Sequence, residues 1–204
     1  MARPEITAEQ KQVKREAILK AALDVFAEKG YHAAGIADIA ARLDAGHGTI
    51  YRYFKNKLDI FLTLFDAINA DFLKIAWGTR PDLATTPEEY VGVMRKFCLD
   101  FSQIFLREIN HIRIFFEEIH ADPEIRRRFE AAQAEFLDTT IRFLTIGREK
   151  GFIRPELHVP STARLMNAMV YDIMRAGTQA DSASTNLLLL ATTLIEFFTK
   201  GAMP

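Results

Sequence analysis

The amino-acid sequence predicts an all-α protein. Apolar residues recur at intervals of three and four along most of the chain, which is the period of helices with one buried face. Helix start signals, such as the run Thr86-Pro87-Glu88-Glu89, separate these stretches. No stretch alternates apolar and polar residues in the manner of a half-buried strand, and the sequence contains no internal repeat.

The composition favours a globular protein of the cytoplasm. The chain has 204 residues, of which 49% are hydrophobic and 26% are charged, so it is long enough to bury a substantial core. Its single cysteine, Cys98, excludes an internal disulfide. The opening segment "MARPEITAEQKQVKRE" lacks the apolar stretch of a signal peptide, and the most apolar run, "LLLLATTLIEFF", is too short for a membrane span. We therefore expect a cytoplasmic protein without membrane contact.

The first predicted helix has clear signals at both ends. Thr7 and Gln10 form the sequence pattern of a capping box, which predicts the start of the helix. Gly30 predicts its end, because glycine readily adopts the backbone conformation of a C-cap. The apolar face between these signals consists of Ile18, Ala21, Ala22, Val25 and Phe26.

Two short helices follow the first. The second predicted helix begins after Gly35 and has an apolar face formed by Ile36, Ile39, Ala40 and Leu43. Asp44 and Ala45 then turn the chain into a third helix, which we expect at residues 46–54 with Ile50 and Phe54 in the core.

Longer helices make up the rest of the chain. Asn56 is the expected cap of a helix that extends to about Trp77, and Thr86 and Asp122 are the expected caps of the next two. Further helices are expected at residues 160–177 and 184–200, with the preceding one ending at Gly147 or Gly151.

Two short helices joined by a brief turn have the form of a helix-turn-helix motif. In that motif the second helix enters the major groove of DNA, and its first residues face the base edges. Gly46 and Gly48 let the backbone approach the groove closely, and Lys57 begins the next helix, where free backbone amides form a phosphate site. The polar groups available for bases and phosphates are those of Thr49, Tyr51, Arg52 and Tyr53.

The charge distribution gives mild support to DNA binding. The net charge is −1. Residues 1–58 hold ten Lys/Arg and seven Asp/Glu, or +3, whereas the remainder holds sixteen and twenty, or −4. Lys11, Lys14 and Arg15 either reach the DNA backbone or form a solvated helix face.

Residues 15–65 resemble the N-terminal domain of TetR-family transcriptional regulators. The segments "AALDVFAEKGY", "IADIAARL" and "GTIYRYFKNK" carry the resemblance, which covers about a quarter of the chain. It implies a nine-helix homodimer that binds a double-stranded DNA operator and a small-molecule effector. Residues 1–56 would form the helix-turn-helix DNA-binding domain, and residues 57–204 a helical-bundle domain for ligand binding and dimerisation.

The sequence departs from the family pattern at the positions that commonly hold phosphate. Asp44, Ala45 and Gly46 replace the usual glycine-valine-serine turn, and Ala34 and Gly35 replace a Thr/Ser pair. The expected phosphate contacts therefore shift to Tyr51, Tyr53 and Lys57, and the expected base contacts are His47 and Thr49. The full set of predicted DNA-contacting residues is Gly46, His47, Gly48, Thr49, Tyr51, Arg52, Tyr53 and Lys57.

The second predicted domain is rich in phenylalanine, which suits an apolar ligand site between bundled helices as well as ordinary core packing. The residues expected to line such a site are Phe65, Phe72, Phe101, Phe105, His111, Phe115, Glu117, His120, Asn167 and Tyr171. We expect a small hydrophobic or aromatic effector and no cofactor.

An enzyme is the remote alternative. Glu117 and His120 form one Glu-x-x-His pair, as in helical di-metal carboxylate proteins, but such a site needs a second pair and the sequence has none. Cys98 lies on an apolar stripe without an evident base. Polar lining of a pocket is the favoured role of Glu117 and His120, with no metal and no catalysis expected.

The last two predicted helices carry apolar residues on more than one face. One face would pack on the chain's own core, and another would pair across a two-fold axis. The apolar residues are Leu165, Met166, Met169, Val170 and Ile173, then Leu187 to Leu190, Leu194, Ile195, Phe197 and Phe198. The sequence thus predicts a homodimeric repressor that its effector releases from DNA, with an activator or a ligand-independent DNA binder as the alternatives.

Overall fold

A computed structural model describes residues 7–119, 122–179 and 183–203. These residues form helices and loops, and none of them lies in a β-strand, so the predicted all-α fold is confirmed. The helices are α1 (Ala8–Lys29), α2 (Ile36–Arg42), α3 (His47–Tyr51), α4 (Lys57–Gly78), α5 (Pro87–Glu118), α6 (Pro123–Glu149), α7 (Val159–Gln179) and α8 (Ala183–Ala202), with a 3-10 helix at Pro81–Leu83. None of the helices in these ranges combines the length and the apolar composition of a membrane span.

Helix starts lie where the sequence signals predict them. The Thr7 hydroxyl accepts a hydrogen bond from the Gln10 N–H, and the Gln10 side chain accepts one from the Thr7 N–H, which completes the capping box of α1. Thr86 caps α5, and Asp122 caps α6 through two backbone N–H groups. Each cap satisfies amides that have no partner within the helix and contributes about 1 kcal/mol.

Two features of the fold differ from the sequence prediction. The third helix ends at Tyr51 rather than Phe54, because the Ile50 carbonyl accepts from both the Tyr53 and the Phe54 N–H and so tightens the last turn. The described residues also contain eight α-helices, where the family resemblance implies nine.

The chain divides into two compact units, Met1–Ala67 and Ile68–Pro204. The sequence interpretation places the domain boundary between residues 56 and 57, at the start of α4. The two compact units divide inside α4, and Ile60 and Phe61 in its first turns are completely buried.

The core of the first unit joins α1, α2, α3 and the beginning of α4. The predicted apolar face of α1 is buried, from Ile18 to Phe26, and Ile39 and Ile50 are fully buried beside it. The rings of Phe26, Tyr31 and Phe61 pack together, with centroids 4.6–6.0 Å apart. These contacts hold the two short helices in place, because neither is long enough to be stable alone.

The core of the second unit includes a close contact between α5 and α6. Tyr90 is completely buried, its hydroxyl donates to the Phe143 carbonyl at 3.0 Å, and its ring stacks on Phe143. Its hydroxyl lies so close to Gly147 that a Cβ atom there would be 2.4 Å away. Gly147 is therefore required by packing. Burial also raises the pKa of Tyr90.

Arg142 of α6 fixes the C-terminal end of α4. Its guanidinium donates to the Thr79 carbonyl at 3.2 Å and lies 5.5 Å from the centre of the Trp77 ring. A cation at the end of a helix interacts favourably with the carbonyls that have no partner in the helix. The last turn of α4 is thus tied to α6 within the second unit.

Candidate nucleic-acid interface and ligand cavity

The turn between α2 and α3 is compact. The Ala45 N–H donates to the Ala40 carbonyl at 3.0 Å, and the Asp44 N–H donates to the Ala41 carbonyl at 3.2 Å. Asp44 has a φ of +47°, in the left-handed region, where aspartate is tolerated better than most residues. This turn holds α2 and α3 together as one pair.

Glycines lie on both sides of His47, the exposed first residue of α3. Gly46 is the N-cap with a φ of −72°, and both Gly46 and Gly48 are exposed. A Cβ atom at either position would meet nothing within 4 Å. Neither glycine is thus needed by the backbone or by internal packing, although a glycine inside a helix costs about 0.5–1 kcal/mol relative to alanine. The two glycines therefore leave the backbone on either side of His47 open to close approach by another molecule's backbone.

The predicted DNA-contacting side chains differ in exposure. Tyr51 is 56% exposed. His47 and Arg52 are also exposed, whereas Thr49 and Tyr53 are half-buried. The core residues predicted between them, Ile50 and Phe54, are buried. The surface around α3 therefore presents a phenol, an imidazole and a guanidinium.

Arg15 of α1, for which the sequence left a DNA contact and a solvated face open, has internal partners. Its guanidinium donates to the Tyr53 carbonyl at 3.0 Å and to the Thr63 hydroxyl at 3.3 Å, and lies 4.2 Å from the centre of the Phe54 ring. Arg15 therefore ties the segment after α3 to α4. The sequence contains no local signal for this role, because the partners are far apart along the chain.

Lys57, a predicted phosphate contact, has internal partners. Its ammonium donates to the carbonyls of Tyr31 at 2.6 Å, Ala34 at 2.9 Å and His32 at 3.3 Å. It also lies 4.4 Å from the centre of the Tyr31 ring. A phosphate contact by Lys57 therefore requires the ammonium to leave these acceptors.

A cavity lies in the second unit between α5, α7 and α8. It contains about 460 Å³ of empty space, including the part that opens to solvent. Its walls are formed by Phe97, Cys98, Phe101, Ser102 and Phe105 of α5, by Val170, Ile173 and Met174 of α7, and by Leu194 of α8. Among the described residues, this lining includes no carboxylate, amine or guanidinium.

The two polar side chains of the cavity wall carry no charge. The Ser102 hydroxyl donates to the Cys98 carbonyl at 2.7 Å, one helical turn earlier. Burial raises the pKa of the Cys98 thiol to about 11, so the thiol stays protonated at neutral pH. The cavity is accordingly suited to an apolar group.

Part of the predicted ligand site coincides with this cavity. Phe101 and Phe105 line it, and the Phe72 ring lies 4.5 Å from the Phe101 ring, centre to centre. Val170, Ile173 and Leu194, which belong to the apolar faces predicted for the last two helices, also line the cavity. The recurrence of lining residues on one side of α5, from Phe97 to Phe105, is the sequence signal that indicates this wall.

The predicted polar ligand residues do not line this cavity. His111 Nδ1 lies 2.8 Å from a carboxylate oxygen of Glu108. Burial acts to raise the pKa of Glu108, but its hydrogen bonds with Arg107 and His111 outweigh this effect and lower the pKa below its usual value. Asn167 accepts a hydrogen bond from the Thr140 hydroxyl at 2.8 Å. Tyr171 packs against the rings of Phe116 and Phe129. These side chains already have partners within the bundle.

The remaining predicted residues that the structure describes are not part of the cavity lining. Phe65 is buried in the first unit and Phe115 in the second, and Glu117 is exposed. His120, the proposed partner of Glu117 in a metal pair, lies outside the described residues. Within the ranges that the structure describes, no group of three or more His, Cys, Asp or Glu residues is placed to hold a metal ion.

The short helices α2 and α3, the turn at Asp44 and the open start of α3 define a helix-turn-helix DNA-binding protein. A family model described as "Bacterial regulatory proteins, tetR family" matches residues 18–64, which include the whole of α2 and α3. Residues 18–64 are thus similar to the DNA-binding domain of the TetR family of transcriptional regulators.

Relatives along nearly the whole chain are regulators. The chain is 27% identical to the fatty acid metabolism regulator protein of Bacillus subtilis over 193 residues, 94% of this chain and 97% of that protein. It is 25% identical to the transcriptional repressor NicS of Pseudomonas putida over 169 residues, 81% of this chain and 78% of that protein. The solved structure of FadR from Bacillus subtilis in complex with stearoyl-CoA matches 91% of this chain and 98% of that chain, with 26% identity and a TM-score of 0.66. The chain is therefore similar along most of its length to transcriptional regulators.

Proposed function

We propose that this regulator is a homodimeric repressor that leaves its operator when the apolar part of a ligand enters the cavity of the second unit. The observation that carries the proposal is the position of Phe101. This residue lines the cavity and packs directly against Phe72 of α4. Because α4 contributes residues to both units, a ligand that displaces Phe101 acts on the helix that joins them.

The DNA-binding part of the proposal rests on the surface of α3. Gly46 and Gly48 leave space for the groove, His47 and Thr49 contact bases, and the exposed Tyr51 donates to a phosphate. Arg52 and Tyr53 complete the set with a guanidinium and a second phenol. Lys57 is the exception within the predicted set, because its ammonium bonds inside the protein.

The chemistry of the cavity selects the class of ligand. A charged group inside it would lose its hydration without gaining a partner, which is strongly unfavourable. The ligand therefore inserts an acyl chain or an aromatic ring and keeps any charged group outside. The stearoyl-CoA in the FadR structure supports an acyl-CoA as one candidate ligand. The similarity to NicS, which is a transcriptional repressor, supports repression rather than activation.

A ligand releases DNA only if it binds the DNA-incompetent arrangement more tightly than the competent one. The free energy of coupling between two such sites is typically about 1–3 kcal/mol, or roughly 5- to 150-fold in affinity. We expect an apolar ligand to weaken operator binding by a factor within that range.

The proposed dimer uses α7 and α8. Leu165 of α7 is 66% exposed, and Leu189 and Phe197 of α8 are 65% and 70% exposed. Water contact at such large apolar side chains is unfavourable, and a second copy of the chain would cover them across a two-fold axis. Ile195, which the sequence assigned to the apolar surface of the last helix, is buried at 7% exposure in the core of the second unit and does not suit an interface test.

Cys98 provides a direct test of the ligand site, because it is the only cysteine of the chain and lines the cavity. The full-length protein is treated with iodoacetamide at mildly alkaline pH, with and without stearoyl-CoA or naphthalene, and the alkylation rate is measured. A ligand in the cavity slows alkylation and, in a parallel titration, weakens binding to a duplex from the chain's own upstream region. Weakened DNA binding with unchanged alkylation would place the ligand elsewhere, and a ligand that protects Cys98 without affecting DNA binding would contradict release.

A further inference from the structure

Three carbonyl groups surround the ammonium of Lys57, at the first residue of α4. They belong to Tyr31, His32 and Ala34, in the segment that links α1 to α2. An ammonium has three N–H groups to donate, so three acceptors match its full capacity. The side chain is half-buried and packs over the Tyr31 ring.

We propose that Lys57 is a positioning residue, whose ammonium fixes the start of α2 against the first turn of α4. The proposal rests on the DNA-binding function above and deepens it, because it assigns to Lys57 an orienting role in place of a phosphate contact.

The position of these carbonyls explains why the contact orients the reading helix. Ala34 directly precedes Gly35, the N-cap of α2, and α2 is held to α3 by the compact turn at Asp44. At the other end of this pair, Arg15 binds the Tyr53 carbonyl and the Thr63 hydroxyl of α4. Two cations therefore hold the α2–α3 pair, one at each end, and each of them connects it to α4.

Competition with DNA disfavours the phosphate role. A phosphate that drew the ammonium away would leave three carbonyls without this donor, and hydrogen bonds to a charged group are stronger than neutral ones. Lys55 lies two residues earlier and is exposed, so that it is available to a phosphate without breaking an internal contact. Lys55 therefore serves as a matched control of the same charge.

The test compares Lys57→Met, Lys57→Arg and Lys55→Met in the full-length protein. Each variant is titrated, below its melting temperature, with a duplex from the chain's own upstream region and with a random duplex of equal length. Both titrations are repeated over a range of salt concentrations, and thermal melting is recorded.

For Lys57→Met we expect operator affinity to fall about tenfold or more, since charge-assisted bonds that orient α2 are lost. Random-duplex affinity and the slope of log K against log salt should stay as in wild type, because no phosphate contact is removed. Lys57→Arg should not restore the operator preference, since a planar guanidinium does not match acceptors arranged around a compact ammonium. Lys55→Met should instead flatten the slope by about one unit for both duplexes.

Two results would overturn the positioning role. One is a Lys57→Met variant whose salt slope is flatter by about one unit and whose affinities for both duplexes fall equally. The other is a Lys57→Met or Lys57→Arg variant with the full operator preference of wild type. If Lys57→Met does not fold, the operator preference of Lys57→Arg alone tests the positioning role. A wild-type protein without operator preference contradicts the operator proposal itself, which distinguishes the two failures.

Discussion

Replacing Gly147 by alanine tests the close contact between α5 and α6. The new Cβ would lie 2.4 Å from Tyr90 Oη, 2.5 Å from Tyr90 Cζ and 2.8 Å from Ile153 Cδ1. Tyr90 has no free direction to move in, because it is completely buried and its ring stacks on Phe143. The contact is therefore relieved only by displacing the whole ring.

The expected cost follows from these contacts. Overpacking of a tight core typically costs about 1–3 kcal/mol, and displacement of Tyr90 also breaks its hydrogen bond to the Phe143 carbonyl, worth about 1 kcal/mol. The free energy of unfolding should thus fall by about 2–4 kcal/mol. For a chain of this length, 1 kcal/mol shifts the melting temperature by about 2–4 °C, so we expect a loss of roughly 4–16 °C.

Thermal and urea unfolding of the full-length protein measure the effect, with Gly92→Ala as the control. Gly92 is an exposed glycine inside α5, and a Cβ atom added there would meet nothing within 4 Å, so its alanine variant should gain about 0.5–1 kcal/mol. Combining Gly147→Ala with Tyr90→Phe should cost less than the sum of the single changes, because both remove the same hydrogen bond. A Gly147→Ala protein as stable as wild type would refute the packing argument.

Three further predictions concern the turn, the ligand response and the dimer. Asp44→Val should destabilise the protein by about 1–2 kcal/mol, because a β-branched residue is strained at positive φ, whereas Asp44→Gly should be neutral or stabilising. Equal stabilities of the two variants in urea unfolding would contradict this prediction. Phe72→Ala should leave a folded protein whose operator affinity responds less to stearoyl-CoA, because the contact with Phe101 is lost. Stearoyl-CoA should still protect Cys98 of this variant from alkylation. An undiminished response of operator affinity would exclude the Phe101–Phe72 contact as the route of coupling. Leu165→Asp combined with Phe197→Asp should yield a folded monomer in sedimentation, since both side chains are exposed, and a persisting dimer would place the interface elsewhere.

The sequence predicted the helices well wherever a local signal was available. The capping box at Thr7, the caps at Thr86 and Asp122 and the glycine after α1 all lie at helix ends in the structure. Such signals act over a few residues, so the sequence alone reveals them. The predicted end of α3 is too late, because its tightening at Ile50 has no comparable residue signature.

The candidate site residues were likewise predicted from the sequence only where the signal for them is local. The open backbone at the start of α3 follows from two glycines close together in the sequence, and three of the expected DNA contacts, His47, Tyr51 and Arg52, are exposed in the structure. The ligand residues were harder to predict, because a helical period distinguishes an apolar face but not which apolar face encloses a cavity. The packing of α5 against α7 and α8 determines which apolar face encloses the cavity. As a result, Phe101 lines the cavity and Tyr171 does not.

The sequence by itself determined the all-α fold and the helix-turn-helix, because capping, helical period and turn chemistry are local properties of the chain. The family of regulators was indicated by the resemblance of residues 15–65 to TetR-family sequences. Only the tertiary structure determined which partners the long polar and apolar side chains contact. Arg15 and Lys57 look like ordinary surface cations in the sequence, yet both bond to carbonyls far along the chain. The physical reason is that a flexible charged side chain bonds to the acceptors that folding brings close to it. The distances to these acceptors cannot be inferred from their spacing in the sequence.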